Sequence, residues 1–329
     1  MILRASINLR SGALFLPYII LSAFVSLYSS IYSSDAYEYR LVYENIGSNQ
    51  VLFYETGRAE VLYYFWNWIS SRVGLSFQGF LFFSTLLFLT LKINALHVIS
   101  SVRGKFRVLT IYTLILFLLH ECIQYKIAWA VSIALWACIF ISRRRWFLGG
   151  FWSLIAAGFH VSVIVLPLFF ACAYVFLVKN KRLSVKILPI FFGVIYFLYL
   201  NVVEKLINII DSRYFDYFGE DRLSTQNSSG LFYVYTIGLM GVVLCLSNYI
   251  KRDAPKEILV SNFLMYVSVA MLCAFYQYVS MASRLSDVLL IMIIPLMNYV
   301  IEYNKKLYLT FSIYFVAFAI FSGRLIVNW

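Results

Sequence analysis

Apolar stretches long enough to cross a lipid bilayer recur from one end of the chain to the other, with short polar clusters between them. A membrane-spanning helix needs about 20 predominantly apolar residues, and a chain that repeats such stretches is expected to cross the membrane many times. Of the 329 residues, 62% are hydrophobic and 13% are charged, which differs strongly from the composition of a soluble domain. The sequence therefore predicts an all-α polytopic integral membrane protein, with residues 1–329 forming a single membrane domain.

The basic residues fall in clusters, and these clusters predict the orientation of the chain. Cytoplasmic loops carry an excess of Lys and Arg, so we assign the clusters and the basic N-terminus to the cytoplasmic side and interpret the first apolar run as an uncleaved anchor. The net charge of +12 then reflects topology and implies no nucleic-acid partner. The clusters lie at 103–107, 143–145, 179–186, 251–256 and 304–306.

The intervals between the basic clusters predict about eleven transmembrane helices, in a range of about 10–12. Two segments face outward and are too polar to cross. The first outer loop, 33–75, ends in the short aromatic stretch VLYYFWNWISS, which we interpret as interfacial or re-entrant. The second outer loop is 204–230. The predicted spans are 12–32, 76–101, 108–124, 125–142, 146–160, 161–178, 187–203, 231–250, 257–280, 285–303 and 306–323.

Ionisable residues of the predicted spans are concentrated near the outer ends of helical hairpins. Such residues are costly in a bilayer and by default mark functional sites. The midpoints of two hairpins fall near Lys126 and His160, and each hairpin is short enough that its tip should stop below the outer headgroups. Asp35, Glu60 and Arg284 are predicted on the same side. We therefore predict that these residues line one recess that opens to the outer leaflet.

Each of these residues also has a structural explanation when it is considered alone. His160 is equally expected as a hydrogen-bonded residue between helices. Lys126 and Arg284 are expected to snorkel to lipid phosphates about as readily as to bind a substrate, and the two acids are common in ordinary loops. Lys92 lies near the inner end of its span and is expected to snorkel to the cytoplasmic surface.

Several segments resemble, in their order along the chain, the EpsG-like branch of the Wzy-type O-antigen and exopolysaccharide polymerases. The likeness runs from about residue 12 to about residue 300, and its best part is the basic cluster, apolar run and GFHVSVIVLPL sequence. The segments are SSDAYEYRLVYENI, GRAEVLYYFWNWISSRVGLS, CIQYKIAWAVSIALWACIFISRRRWFLGGFWSLIAAGFHVSVIVLPL and YVSMASRLSDVLLIMIIPLMN.

The resemblance assigns family positions to individual residues of this chain. An Asp-x-x-x-Tyr pattern after the first span is matched by Asp35 and Tyr39, and a Glu before an aromatic segment is matched by Glu60. The helix histidine is matched by His160 and the late Arg-Leu by Arg284.

One family position departs from the pattern. The family usually has an arginine in the hairpin before the basic cluster, where this chain offers Gln124 or Lys126. Lysine keeps the positive charge but lacks the bidentate fork with which arginine holds phosphate oxygens.

The resemblance implies a glycosyltransferase of the bacterial inner membrane that takes part in O-antigen, and hence lipopolysaccharide, or exopolysaccharide biosynthesis. Such an enzyme polymerises undecaprenyl-pyrophosphate-linked oligosaccharide repeat units at the periplasmic face, by moving a growing glycan to the non-reducing end of a new lipid-linked unit. Its partners are the lipid-linked oligosaccharide and membrane lipid, and a chain-length regulator and a flippase of the same pathway are further candidates.

This reaction needs a general base for the acceptor hydroxyl and cations for the departing pyrophosphate. Asp35, Glu60 and His160 are candidates for the base. Arg284 and Lys126 are the candidate pyrophosphate ligands. Tyr39 and Gln124 are candidate substrate-binding residues, and the absence from the sequence of a glycine-rich phosphate loop and of metal-ligand spacing predicts neither a cofactor nor a metal.

Two other activities are compatible with parts of the pattern. A membrane acyltransferase that modifies glycans could use a single membrane histidine as its base. A lipid-linked-oligosaccharide flippase would need charged groups along a cavity through the middle of the membrane, whereas the charges here are predicted at the outer hairpin tips.

Overall fold

The computed structural model describes residues 10–32, 34–48, 60–179, 235–251, 253–274 and 279–303, and all regular structure within these ranges is helical. We number the α-helices in chain order. They are α1 Arg10–Tyr32, α2 Ser34–Gly47, α3 Val61–Arg72, α4 Phe77–Ser100, α5 Lys105–Ile115, α6 Tyr125–Ser142, α7 Trp146–Phe159, α8 Val165–Lys179, α9 Tyr235–Asn248, α10 Lys256–Ala274, α11 Val279–Leu290 and α12 Ile293–Tyr303, with a π-helix at Leu118–Ile123 and a 3-10 helix at Val161–Ile164.

The predicted class, an all-α polytopic membrane protein, is supported by the length and composition of these helices. Among the described residues, 4 helices are long and apolar enough to cross a membrane: Phe77–Ser100, Tyr125–Ser142, Lys256–Cys273 and Ala282–Tyr303. Shorter apolar helices occur at Phe15–Ser29, Trp146–Phe159, Val161–Phe176 and Tyr235–Asn248. The count of about eleven spans stays a prediction, and the predicted spans 187–203 and 306–323 and the second outer loop 204–230 lie outside the described residues.

The predicted first outer loop contains two short helices, α2 of 14 residues and α3 of 12 residues. Both are shorter than the stretch of about 20 residues that a membrane crossing needs. Helix α2 was not expected from the sequence, because charged and polar residues interrupt its apolar positions and the segment resembles a polar loop. Tyr43 and Ile46, which lie on α2, are buried against the rest of the molecule. The packing of α2 thus makes up for its weak apolar pattern.

Helices α4 and α6 form the centre of the molecule and run in the same direction. The Trp129 ring contacts Phe80 and Phe88, and further along both helices the indole Nε1 of Trp136 donates to the Leu91 carbonyl over 3.2 Å. Helix α6 is apolar on all sides, as a helix surrounded by other helices must be. Since α4 and α6 are parallel, α5 and the π-helix between them return across the molecule.

The basic clusters consequently gather at one end of the bundle. The chain turns from α4 into α5 at 101–104 and from α6 into α7 at 143–145. The Tyr174 hydroxyl donates to the Ser142 carbonyl over 2.7 Å, which brings the end of α8 to the same level. Arg107 also reaches Glu302 at the end of α12. The opposite end of the bundle carries the turn from α3 into α4 and residue His160.

Lys92, which the sequence predicts to snorkel to the membrane surface, forms a buried ion pair instead. Lys92 has no exposed surface and forms a salt bridge with Glu121 of the π-helix, which is also fully buried. Its Nζ donates to the Tyr112 hydroxyl over 2.9 Å, and that hydroxyl donates to Glu121 Oε1 over 2.7 Å. The expectation that Lys92 snorkels to the cytoplasmic surface is therefore wrong, because an acid on a neighbouring helix compensates its charge inside the bundle.

Candidate active site

Glu60, Lys126 and His160 meet at the end of the bundle opposite the basic clusters. Glu60 Oε1 contacts His160 Nδ1, and Glu60 Oε2 accepts a hydrogen bond from Lys126 Nζ. The exposed fractions of the three side chains are 14%, 8% and 17%, so the cluster is largely enclosed yet reachable. Residues separated by 66 and 100 positions in the sequence thus form one acid–base group.

Each of the three side chains stands at the end of a helix. Glu60 directly precedes α3, and its carbonyl accepts the backbone N–H of Tyr63. Lys126 is the second residue of α6, just after the π-helix ends at a non-helical Gln124. His160 interrupts the chain between α7 and the 3-10 helix with extended backbone angles, φ −160° and ψ 117°. These interruptions direct the three side chains toward the same point.

Close packing of α3 on α7 brings Glu60 next to His160. Gly158, two residues before the histidine, lies against Leu62, two residues after the glutamate. A Cβ at position 158 would lie 2.7 Å from Leu62 Cδ1 and 2.8 Å from Leu62 Cγ. The absence of a side chain at Gly158 is what allows the two helices to approach this closely.

Aromatic rings pack against the charged groups on one side of the site. Lys126 Nζ lies 4.8 Å from the centroid of the Tyr63 ring, a distance that favours a cation–π contact. The Tyr39 ring of α2 lies 4.6 Å from the Tyr125 ring, which precedes Lys126 in the chain. Tyr125 in turn packs on Trp129. This cluster of rings excludes water from one side of the site and strengthens its electrostatic interactions.

Arg284 lies close to this group. Helix α11, which carries it, packs on α8 and on the 3-10 helix that directly follows His160. The guanidinium is partly exposed and acts electrostatically on the histidine ring. A second cation is therefore present beside the group that Glu60 and Lys126 form with His160.

The charge state of Glu60 follows from its contacts. Burial opposes ionisation of the carboxyl, but the hydrogen bond to His160 and the positive charge of Lys126 outweigh burial and lower its pKa from 4.5 to about 2. Glu60 is thus a carboxylate at physiological pH and can only accept hydrogen bonds. The Nδ1 atom of His160 must then carry a proton, and in the neutral ring Nε2 is the nitrogen with a free lone pair.

The structure brings together most of the residues that the sequence predicted for the site, while their roles stay predictions. Glu60, Lys126 and His160 are in direct contact, and Arg284 and Tyr39 lie around them. Two further predicted residues, Gln124 and Asp35, are next to the same elements. The amide Oε1 of Gln124 is buried and has no hydrogen-bond partner among the described residues. Asp35 lies one turn before Tyr39 on α2, and its side chain lies outside the described part of the structure.

The residues that support the site were not apparent from the sequence. Tyr63 was interpreted only as part of the aromatic stretch of the first outer loop and Tyr125 only as a residue at a hairpin tip, although both contact Tyr39. Glu121 belongs to the hairpin tip that the sequence predicts near Lys126, and its burial against Lys92 was not expected. A lysine in one span and a glutamate in the next, each without a like-charged neighbour, was the signal that could have indicated their pairing.

The fold and the cluster are those of a multi-pass membrane protein with a largely enclosed group of ionisable side chains at one end of its helical bundle. Across residues 13–328 the chain matches the EpsG family. This protein therefore belongs to the EpsG family, which confirms the resemblance and indicates a polysaccharide polymerase that uses a lipid-linked oligosaccharide. No curated protein and no solved structure matches the chain.

Proposed function

We propose that this protein transfers a growing glycan from undecaprenyl pyrophosphate to the non-reducing end of a lipid-linked repeat unit, at the periplasmic face of a bacterial inner membrane. The observation that carries the proposal is the contact of His160 with Glu60, which is paired in turn with Lys126 and lies beside Arg284. A base with an orienting carboxylate and two nearby cations are the groups that this transfer requires.

We assign the role of general base to His160. Both oxygens of Glu60 are already engaged, and a carboxylate whose pKa is about 2 has little tendency to take a proton. Glu60 therefore orients the ring and stabilises the imidazolium that forms. The acceptor hydroxyl gives its proton to His160 Nε2 while its oxygen bonds to the anomeric carbon of the growing glycan.

The bond from that anomeric carbon to the pyrophosphate oxygen breaks in the same reaction, and the pyrophosphate leaves with the electron pair. Arg284 is the main ligand for this leaving group, because a guanidinium holds two phosphate oxygens at once. Lys126 contributes further positive charge while it remains paired with Glu60. Burial of the Lys126 side chain against Tyr63 and Glu60 strengthens this contribution.

Gln124 and Tyr39 complete the substrate contacts in this proposal. The amide oxygen of Gln124, which accepts no hydrogen bond from the described part of the chain, suits a sugar hydroxyl that donates one. Tyr39 offers an aromatic edge at the floor of the site. Asp35, one turn earlier on the same helix, is proposed to bind a further hydroxyl of the acceptor.

The distribution of charge along the bundle supports the proposed periplasmic location. The turns at 101–104 and 143–145 and the Arg107 contact with Glu302 lie at one end, and Glu60 and His160 lie toward the other. Because cytoplasmic loops carry an excess of basic residues, this arrangement supports a site on the outer side.

The test is to delete the gene and separate the surface polysaccharide by electrophoresis. A strain that lacks the polymerase should retain a surface core that bears a single repeat unit and should lose the ladder of longer chains. Expression of the wild-type protein from a plasmid should restore the ladder. Loss of all repeat units would instead identify a flippase. An unchanged ladder with missing acyl groups would identify an acyltransferase, and either result would overturn the proposal.

A further inference from the structure

A cavity lies at the same end of the molecule as His160. It is formed between α2 and the turn that leads into α4, and its volume is about 470 Å³. Sites for small ligands have volumes of about 300–1,000 Å³, so the cavity is large enough for a short piece of a glycan. None of the residues that line it was assigned a role above.

The lining of the cavity combines an aromatic floor with a polar rim. The rings of Tyr43 and Phe77 are buried beneath it with their centroids 5.8 Å apart. The Tyr43 hydroxyl donates to the Leu75 carbonyl over 2.7 Å, which fixes this ring in place. A sugar ring has C–H faces that pack on aromatic groups and hydroxyls at its edge that need polar partners. The rim supplies such partners in the side chains of Arg40, Glu44, Ser76 and Gln78.

The charge of the cavity distinguishes it from the candidate active site. Arg40 Nε donates to Glu44 Oε1 over 2.7 Å, so this charged pair on the rim is neutral as a whole. A pyrophosphate would have to displace Glu44 from the pair. An uncharged, hydroxyl-rich ligand can use the remaining donors and acceptors of both side chains without separating them.

Helix α2 connects the cavity to the candidate active site. Tyr39 packs on Tyr125 beside Lys126, and Tyr43 lies one turn further along the helix. Four residues of an α-helix span about 6 Å, and residues at this spacing lie on the same face. Tyr39 and Tyr43 pack inward, whereas Arg40 and Glu44 of the cavity rim lie on the exposed side of the same helix, within about two helical turns of Tyr39. A glycan that leaves the active site past Tyr39 therefore reaches the cavity rim.

We infer that the cavity between α2 and the start of α4 is a subsite for uncharged sugar residues of the glycan next to the reacting sugar. This inference rests on the proposed polymerase function, because it assumes that the glycan is bound at His160. The subsite holds the saccharide portion of the substrate, whereas Arg284 and Lys126 hold its pyrophosphate.

The test uses Arg40→Ala and Gln78→Ala in the full-length protein, with Glu38→Ala as the matched control. Arg40, Gln78 and Glu38 are all exposed, so the variants should fold, and Glu38 lies on α2 but does not line the cavity. The purified proteins are assayed for polymerisation of a lipid-linked repeat unit and for binding of the same oligosaccharide without its lipid pyrophosphate.

We expect each rim variant to raise KM for the repeat unit and to weaken oligosaccharide binding about tenfold, as the loss of a single good contact would. The value of kcat should change little, and Glu38→Ala should resemble the wild type. Wild-type KM and wild-type oligosaccharide binding in both rim variants would overturn the subsite. A wild-type protein that forms no polymer at all would instead overturn the proposed function, so the two failures are distinguishable.

Discussion

The carboxylate of Glu60 organises the site at the scale of single residues, because one of its oxygens contacts His160 and the other contacts Lys126. In the proposed mechanism, the imidazolium that forms on His160 is stabilised only while this carboxylate is charged. The low pKa of Glu60 means that the charge is present throughout the physiological range. One residue thus sets the tautomer of the proposed base and the position of a cation.

Replacement of Glu60 by glutamine keeps the shape of the side chain and removes its charge. We expect Glu60→Gln to lower kcat by about 10²–10⁴-fold, the usual contribution of general acid–base catalysis, with a small change in KM. The assay is polymerisation of a lipid-linked repeat unit by purified protein, with the exposed Glu38→Gln as control. A Glu60→Gln enzyme with wild-type kcat would show that the histidine ring needs no carboxylate.

The lowered pKa of Glu60 also predicts how stability depends on pH. Its folded-state value of about 2 lies below the ordinary value of 4.5, so the stabilisation is fully present above about pH 4.5 and is lost as pH falls through about 2. The stability advantage of the wild type over Glu60→Gln should therefore shrink as the pH falls from about 4.5 toward 2. Measurement of the unfolding free energy of both proteins in detergent across this acid range checks this, and an advantage that stays unchanged down to about pH 2 would contradict the lowered pKa.

The buried pair of Lys92 and Glu121 predicts strongly coupled effects on stability. Lys92→Met should destabilise the protein by about 3–5 kcal/mol, because it leaves the Glu121 charge buried without its cation. Lys92→Met combined with Glu121→Gln should recover much of that loss. Denaturation in detergent measures both variants. Additive effects of the two substitutions would show that the two side chains do not compensate each other.

At the scale of helices, the site depends on where helices end and how closely they pack. The π-helix before Gln124 and the extended residue His160 interrupt their helices at one level of the bundle. The contact of Gly158 with Leu62 then sets the distance between α3 and α7. These features act over several residues, and no single side chain determines them.

Substitution of Gly158 tests this helix packing. A Cβ at this position would contact Leu62 within 3 Å and move α3, so Gly158→Ala should lower kcat by about 10²-fold through misplacement of Glu60. Gly150→Ala on the same helix is the control, because nothing lies within 4 Å of a Cβ there. Leu62→Ala should partly restore the Gly158→Ala enzyme. Equal activity of the two glycine variants would argue against the packing role.

At the scale of the whole molecule, composition and charge predicted the all-α membrane class, and the positions of the hairpin midpoints predicted that Lys126 and His160 lie near one another. Other features of the fold and of the candidate site could not be predicted from the local sequence pattern. Helix α2 is polar enough to resemble a loop, and its packing against the rest of the molecule was not apparent from the sequence. The pairing of Lys92 with Glu121 joins side chains of different helices. The close approach at Gly158 depends on the three-dimensional path of both helices, which spacing along the chain does not specify.

In the proposed reaction, one cluster with Arg284 as its main cation joins lipid-linked repeat units into a polymer. The most direct measurement is the length of the glycan that purified protein in lipid vesicles makes from lipid-linked repeat units, compared between wild type and Arg284→Ala.

We predict long chains from the wild type and none from Arg284→Ala, and a loss of about 10²–10³-fold in rate for Arg284→Lys, which keeps the charge without the fork. Equal insertion of the proteins into vesicles serves as the control. Long chains made by Arg284→Ala at the wild-type rate would contradict the proposed mechanism, because the departing pyrophosphate would then not need this cation.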